Sequence, residues 1–293
     1  MTSDEGFIEL DVASTALISR LRSRFRGALQ GLALAEALAA PTVLRRAGTF
    51  MPVRDLLGGG AFDLPRGAWA DDTAMTICLA TSLLECRTCD PLDQLQRYRD
   101  WQRTGEYSAT GDCQGITAGV SRALTDGKPD ATLVDGGELL SRTAPLSARY
   151  LADDRGLIMA LETSARVTHH DDATLTVAQS FASLMQAALR GATREQLCSR
   201  FETLSLPETK STAVLRRAVR AFASTTQWKD AVLDVVNEGG DSDVAAAVVG
   251  QLAGACYGVE ELPGAWLSAL AERERLELLA DRLLAAVLID EEE

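Results

Sequence analysis

Five carboxylates in this sequence lie at predicted helix starts or inside helices that are otherwise built from alanine, glycine and other small residues. They are Glu36, Asp71, Asp72, Asp241 and Asp243. Their own segments offer no obvious basic partner, so the negative charges repel one another if the fold brings them together. A buried carboxylate needs a partner, and Mg²⁺ or Mn²⁺ bound by carboxylate and water oxygens would remove the repulsion.

Helix capping is an alternative explanation for the same residues. Aspartate is a favourable N-cap, and acidic side chains suit the positive end of the helix dipole. The Asp71-Asp72 pair, which follows Trp69 in GAWADDTAM, could therefore simply begin a helix, and so could the DxD of Asp241 and Asp243. Spacing alone leaves both the capping and the metal hypothesis open.

The composition limits the class of protein. The chain has 293 residues, 46% of them hydrophobic and 24% charged, which is typical of a globular protein. Its net charge of -13 argues against a general nucleic-acid surface, although it does not exclude a phosphate-bearing ligand. The acidic N-terminus has no basic leader pattern, and no apolar run approaches the roughly 18 residues of a membrane span. We therefore expect a cytoplasmic protein without a membrane segment.

The cysteines indicate reduced thiols. Six are scattered through the chain, and only Cys86 and Cys89 form a CxxC pair. Because no second pair and no histidine accompanies this motif, an incidental position at a helix end is favoured over zinc or redox chemistry.

The segments that position these acids are predicted to be helices. Apolar residues recur at helical spacing, and alternating strand patterns are almost absent. The clearest stretches are about 15–39, 72–87, 91–103, 172–190, 210–226, 241–257 and 272–289. We predict one all-α domain over 15–290, preceded by an N-terminal tail over 1–14. The Ala- and Gly-rich helices at 27–40 and 245–258 should allow close approach of helix backbones at a crowded centre.

Successive blocks of the chain resemble the ADP-ribosylglycohydrolase family. They are GALQGLALAEALAAP (27–41), GAWADDTAMTICLATSLLE (67–85), WQRTGEYSATGDC (101–113), ETSARVTHHDDATLTVAQSFASLMQAALRG (162–191) and NEGGDSDVAAAVVGQLAGACYGVEELPGAW (237–266). The resemblance runs in the correct order from about residue 25 to about 288. It implies a compact, single-domain orthogonal helical bundle, with two Mg²⁺ or Mn²⁺ ions in a cleft. Such a cleft binds ADP-ribose and hydrolyses its bond to a protein side chain or another acceptor.

The resemblance also assigns residues to roles. The metal ligands it implies are Asp71, Asp72, Asp241 and Asp243, and the catalytic candidates are Asp71, Asp72 and Glu36. The substrate-binding candidates are Tyr107, Gly111, Gly115, Gly136, Gly137 and His169. For His169, a capping or packing role is an equal alternative. Trp69 is expected to pack below the site rather than to stack on a ligand, and Arg142 could hold phosphate or form a structural salt bridge.

Three positions depart from the family pattern. Ala70 and Val244 stand where the family normally has a hydroxyl ligand, and Gly115 stands where it has an acid that faces the acceptor. We therefore expect weakened occupancy of at least one metal site, so that one ion or none is an alternative to two. The first hypothesis is an active hydrolase whose acceptor is not arginine. The second is a pseudoenzyme or ADP-ribose-binding module, and the third is a structural or partner-binding protein. A monomer is the simplest expectation.

Overall fold

The chain folds into helices that enclose one large hydrophobic core, and Ala40, Leu64, Ala68 and Ala70 form a second, small cluster. The computed structural model describes residues 12–129 and 137–290, and in these ranges it contains helices and two isolated β-bridges but no strand. The α-helices are α1 (Val12–Ala39), α2 (Asp71–Cys86), α3 (Pro91–Thr104), α4 (Ala118–Asp126), α5 (Gly137–Ser141), α6 (Ala144–Arg149), α7 (Asp154–Ala165), α8 (Asp172–Leu189), α9 (Arg194–Glu202), α10 (Lys210–Ser224), α11 (Trp228–Val236), α12 (Ser242–Tyr257), α13 (Gly264–Leu267) and α14 (Arg273–Asp290). Short 3₁₀ helices cover Gly60–Phe62 and Val259–Glu261. The prediction of an all-α domain is confirmed.

The centre of the fold is the contact between α1 and α12. A Cβ atom added at Gly254 would lie 1.9 Å from the carbonyl oxygen of Gly27, and one added at Gly31 would lie 2.6 Å from that of Gly250. Real side chains do not tolerate such distances, so the two backbones can meet only because these residues are glycine. The predicted close approach of the two small-residue helices is confirmed.

Large aromatic residues anchor the surrounding helices to this centre. Trp228 is fully buried, and its indole N–H donates to the Gly250 carbonyl oxygen at 3.0 Å. Trp69 is also buried, and its indole N–H donates to the Ala271 carbonyl oxygen at 3.0 Å. These two buried indoles therefore each have a partner, as is usual for aromatic side chains with a polar atom, whereas the indole N–H of the buried Trp101 has none among the described residues. Trp69 packs in the core, as favoured from the sequence.

The long predicted helices match the structure to within a few residues, whereas several short ones were not predicted. Several of the latter carry local capping signals, for example α7 and α9. The Asp153 side chain accepts from the backbone N–H of Gly156 at the start of α7, and Thr193 with Gln196 forms a capping box at the start of α9. A helix of two or three turns has few apolar repeats, and its capping residues alone are a weaker signal than the long apolar periodicity of a long helix.

Two further expectations can be compared with the structure. All six cysteines are free thiols. Among the helices of the described ranges, none combines the length and the apolar character needed to cross a bilayer.

Candidate active site

The two adjacent aspartates begin helix α2, where a side chain from α1 supplies the cap. Ala70 precedes the helix and offers no side-chain acceptor. Instead, Glu36 Oε1 accepts from the backbone N–H groups of Ala70 and Asp72, both at 3.1 Å. Glu36 Oε2 accepts from the backbone N–H of Thr73 at 3.0 Å and from its hydroxyl at 2.6 Å. Glu36 thus satisfies donors that the first turn of every helix leaves open.

Because Glu36 caps α2, the side chains of Asp71 and Asp72 are not needed as caps. Both are buried, with 6% and 3% of their surface exposed. Glu36 is equally buried, and it does not line the cavity that lies beside the start of α2. Its four hydrogen bonds favour a positioning role over direct contact with a ligand, which differs from the catalytic role that the sequence predicted for it.

A cavity of about 580 Å³ lies beside the start of α2. Its acidic lining consists of Asp71, Glu138, Asp241 and Asp243. Its apolar lining includes Val43, Leu44, Phe62, Ile116, Val214 and Val244. A larger depression of about 880 Å³ lies over residues 268–281, but it contains none of the predicted site residues. The cleft with the acids is therefore the candidate site.

The carboxylates of this cluster destabilise one another's charge. Burial is the main cause that raises the pKa of Asp71 well above its usual range, followed by the charges of Glu36 and Asp243. The pKa of Asp72 is also raised by burial and then by Asp71. Burial raises the pKa of Asp243 to about 6. Both oxygens of Asp72 are buried without a hydrogen-bond partner in the described part of the chain. Such a carboxylate requires either a proton or a cation.

Glu138, the fourth acid of the cleft, was not among the predicted metal ligands or catalytic residues. It lies on α5, is 4% exposed and lines the cavity. Burial acts to raise its pKa, but the interaction with His169, whose Nε2 is 3.9 Å from Glu138 Oε2, and smaller interactions with the Glu138 backbone and Thr117 together lower the pKa to about 2. Its sequence context, a glycine-rich loop followed by a five-residue helix, gave no periodic pattern that could have identified it.

His169 lies behind Glu138 and does not itself line the cavity. Its Nδ1 is 2.8 Å from the Thr168 hydroxyl and 3.3 Å from Nη2 of Arg142. Arg142 is buried, with Nη1 3.3 Å from the sulfur of Met75 and its guanidinium 5.5 Å from the centre of the Tyr98 ring. These internal contacts favour a structural role for Arg142 and an indirect role for His169.

Of the other predicted substrate-binding residues, some line the cavity and some do not. Gly115 and Gly137 line the cavity. Tyr107 and Gly111 do not, and the Tyr107 hydroxyl accepts from Nη1 of Arg97 at 2.9 Å. Gly136 lies outside the described residues.

The loop before α12 brings the DxD motif to the cavity by pairing with the segment that follows α1. Leu44 N–H donates to the Gly240 carbonyl oxygen at 2.9 Å, and the Ser242 hydroxyl is 2.9 Å from that of Thr42. Asp241 and Asp243 flank this buried serine and both line the cavity, Asp241 from an exposed position. The structure therefore brings all four predicted metal ligands to one end of the bundle.

Sequence comparison identifies the family of this chain. The profile of the family described as ADP-ribosylglycohydrolase matches residues 18–224 and 211–292. The chain belongs to the ADP-ribosylglycohydrolase family. The resemblance seen in the sequence is confirmed, and the family consists of hydrolases that act on glycosyl bonds.

Individual relatives support this membership. The chain is 29% identical to the ADP-ribosylarginine hydrolase Tri1 of Pseudomonas putida, over 92% of this chain and 80% of that protein. It is 28% identical to the ADP-ribosyl-[dinitrogen reductase] glycohydrolase of Rhodospirillum rubrum, over 92% and 98% of the two chains. A solved structure described as an ADP-ribosylglycohydrolase-related protein complex matches with 34% identity and a TM-score of 0.79, covering 92% of this chain and 99% of that one.

The three departures from the family pattern have visible consequences in the site. A Cβ atom at Gly115 would lie 2.2 Å from Oδ1 of Asp71, so a side chain at this position would displace the aspartate. Val244 places its methyl groups toward Gly137, since an added Cβ at Gly137 would lie 3.0 Å from Cγ1 of Val244. Ala70 adds only a methyl group beside Asp71. Ala70 and Val244 therefore present hydrocarbon at the two positions where the sequence indicates that hydroxyl ligands are missing.

The carboxylate oxygens of the site are of the chemical type that a hard divalent cation prefers. Within residues 12–129 and 137–290, no three His, Cys, Asp or Glu side chains converge closely enough to form a ready metal site. The unpartnered oxygens of Asp72, with Asp71 and Asp243 nearby, are nevertheless the oxygen ligands that Mg²⁺ and Mn²⁺ prefer.

Proposed function

We propose that this protein is an ADP-ribosyl hydrolase that uses Mg²⁺ or Mn²⁺ to release ADP-ribose from a modified protein side chain or another acceptor. The observation that carries the proposal is the pair of buried, unpartnered Asp72 oxygens beside a cavity in a chain of this family. Relatives named as ADP-ribosylarginine and ADP-ribosyl-[dinitrogen reductase] hydrolases support the substrate class.

Individual residues of the chain would have different roles in this proposed reaction. Asp71, Asp72 and Asp243 would hold the cation, with Asp241 at the exposed edge. When bound, the cation supplies positive charge that binds ribose hydroxyls and activates water. Asp71 lines the cavity, where its carboxylate can hold a water molecule by a hydrogen bond and accept a proton from it. Glu36 positions both aspartates through the cap of α2.

A second candidate function is an ADP-ribose-binding module without efficient turnover. The methyl groups of Ala70 and Val244 beside the acids favour it, because they occupy the positions of two oxygen ligands without offering a donor. A shell that lacks two protein ligands can be completed by water, which Mg²⁺ retains readily, so the hydrolase remains our first proposal.

Calorimetric titration of ADP-ribose separates these functions, because ADP-ribose binding does not require knowledge of the acceptor. The hydrolase proposal predicts binding in Mg²⁺ or Mn²⁺ that is lost in EDTA, together with release of ADP-ribose from ADP-ribosylated protein. Asp72→Asn should abolish the metal-dependent binding, whereas Asp230→Asn, an exposed aspartate in the first turn of α11, should leave it unchanged. Binding that is indifferent to EDTA would favour the binding module, and no binding at all would reject both.

A further inference from the structure

Residues 44–54, which we call the rim loop, lie at the edge of the cleft and expose two large apolar side chains. Leu44 lines the cavity and is 69% exposed. Met51 is 87% exposed. Single apolar residues are common on protein surfaces, but large ones grouped in one short loop beside a cleft are typical of a surface that another molecule covers.

The backbone of the rim loop is held in place at two points. At the first, the Leu44 N–H donates to the Gly240 carbonyl oxygen at 2.9 Å, and the Gly240 N–H donates to the Arg45 carbonyl oxygen at 2.8 Å. At the second, the Val53 N–H donates to Oδ1 of Asn237 at 2.6 Å, and Nδ2 of Asn237 donates to the Val53 carbonyl oxygen at 3.1 Å. The side chains between these points are therefore presented on a fixed backbone.

The rim loop is basic, although the protein as a whole is acidic. It contains three arginines, Arg45, Arg46 and Arg54, and no acidic residue, whereas the net charge of the chain is -13. The guanidinium of Arg45 lies 5.4 Å from the centre of the Phe50 ring, and its Nη2 donates to the Thr49 carbonyl oxygen at 3.0 Å. Arg46 and Arg54 are exposed, and no ion pair joins either to a carboxylate of the described residues. Their charges are available to an acidic partner.

The acids of the cleft decide which kind of acidic partner fits. The cavity that Leu44 borders is lined by four of them, Asp71, Glu138, Asp241 and Asp243. A bilayer or a nucleic acid carries negative charge over its whole face, so it would meet these carboxylates as well as the arginines. A protein surface can place its acids opposite the rim loop alone, with an apolar side chain against Met51.

We propose that the rim loop is a docking surface for the protein that carries the ADP-ribosyl group, and that it recognises acidic side chains and an exposed apolar residue beside the modified side chain. This inference rests on the proposed function. Because Leu44 belongs to both the rim loop and the cavity lining, a protein docked on the loop would hold its modified side chain over the cleft. The acceptor is then part of a protein and not a free small molecule.

A peptide without ADP-ribose tests the rim loop independently of catalysis. The probe is a fluorescein-labelled peptide rich in Glu with isolated leucines, titrated in EDTA and compared with a peptide in which Ser replaces every Glu. Wild type should bind the acidic peptide about tenfold more tightly than the Ser peptide, and added NaCl should reduce this difference. Met51→Ser and Arg46→Glu should each weaken binding of the acidic peptide about fivefold.

Matched controls change the same residue types elsewhere on the surface. Met159→Ser on α7 alters a methionine that is 59% exposed, and Arg20→Glu on α1 reverses an exposed arginine. Both should leave peptide affinity within about twofold of wild type.

The same flanking residues should affect turnover when Mg²⁺ is present. Two ADP-ribosylated arginine peptides are compared, one with Glu and Leu beside the modified residue and one with Ser at those positions. For wild type, kcat/KM should be about tenfold higher with the acidic flanks, mainly through KM. Met51→Ser should remove most of this preference, while its affinity for ADP-ribose stays within about twofold of wild type.

The outcomes separate this inference from the proposed function. Equal binding of the two unmodified peptides, or equal losses in Met51→Ser and Met159→Ser, would overturn the docking role and leave the proposed function intact. Tighter binding to phosphatidylserine vesicles or to duplex DNA than to the acidic peptide would also overturn it. If wild type neither binds ADP-ribose nor releases it from either modified peptide, the proposed function fails, and the role in substrate docking fails with it.

Discussion

Glu36 on α1 and Thr73 on α2 are joined by two hydrogen bonds to one carboxylate oxygen, from the backbone N–H at 3.0 Å and from the hydroxyl at 2.6 Å. Through this contact a residue deep in the central helix caps the helix that carries both cleft aspartates. The position of the acids is thus coupled to the core, and several measurable consequences result.

Removing the cap should destabilise the fold. Glu36→Ala leaves three buried backbone N–H groups without an acceptor, so we expect a loss of about 2–4 kcal/mol in the free energy of unfolding. Urea denaturation measures this loss. As a control, Glu85→Ala removes an exposed carboxylate that pairs with Arg282, and it should cost less than about 1 kcal/mol. Equal effects of the two substitutions would contradict the capping role.

The contact between Gly115 and Asp71 can be isolated with a matched pair of glycines. Gly115 and Gly111 have nearly equal positive φ angles, +82° and +84°, but an added Cβ meets Asp71 only at Gly115. Gly111→Ala should therefore show only the backbone penalty, about 1 kcal/mol, while Gly115→Ala should cost more and also weaken Mn²⁺ binding. Thermal unfolding and calorimetry with Mn²⁺ provide the two measurements, and an unchanged Mn²⁺ affinity in Gly115→Ala would argue against Asp71 as a ligand.

Stability without metal should fall as pH rises through the titration of Asp243. Its pKa is raised to about 6 from 3.8, so the folded state binds the proton more tightly than the unfolded state. The resulting stabilisation is complete below about pH 4 and is lost by about pH 6 to 7. In EDTA, Asp243→Asn should therefore gain about 2 kcal/mol relative to wild type on going from pH 4 to pH 7.

Chemical denaturation at several pH values gives this difference directly. Because a bound cation replaces the proton, Mg²⁺ should stabilise wild type more at pH 7 than at pH 5, and it should do so less in Asp243→Asn. A constant difference between the two proteins across this range would show that Asp243 has an ordinary pKa.

Restoring an oxygen at position 244 should strengthen metal binding. Val244→Thr changes the shape of the side chain little and adds a hydroxyl beside the cleft acids, so the affinity for Mn²⁺ should rise by about tenfold. Val214→Thr makes the same replacement elsewhere in the cavity lining and should have no such effect. An equal response of the two variants would mean that position 244 does not face the ion.

A side chain at Gly254 should be incompatible with the close packing of α1 against α12. The Cβ of Gly254→Ala would lie 1.9 Å from the carbonyl oxygen of Gly27, which forces α1 and α12 apart. We expect a loss of more than about 3 kcal/mol, or insoluble protein. Gly264→Ala is the control, because an added Cβ there meets nothing within 4 Å. Soluble Gly254→Ala with unchanged stability would contradict the observed helix contact.

Much of the fold could be predicted from the sequence, because the long helices carry regular apolar patterns. Helices such as α8 and α12 begin and end within about two residues of their predicted limits. The small-residue composition of α1 and α12 also indicated their close contact. Short helices such as α5 and α6, of five and six residues, lacked enough repeats for the same prediction.

The sequence by itself determined the helical class, the family and the acids at the starts of α2 and α12, because periodicity and motif order are local properties. Only the tertiary structure decided what those acids do. It assigned Glu36 to a cap across 36 residues, and it added Glu138 to the cleft. It also placed His169 behind that acid. Burial and charge arise when distant segments meet, so hydrogen-bond partners and pKa shifts cannot be inferred from residue spacing alone.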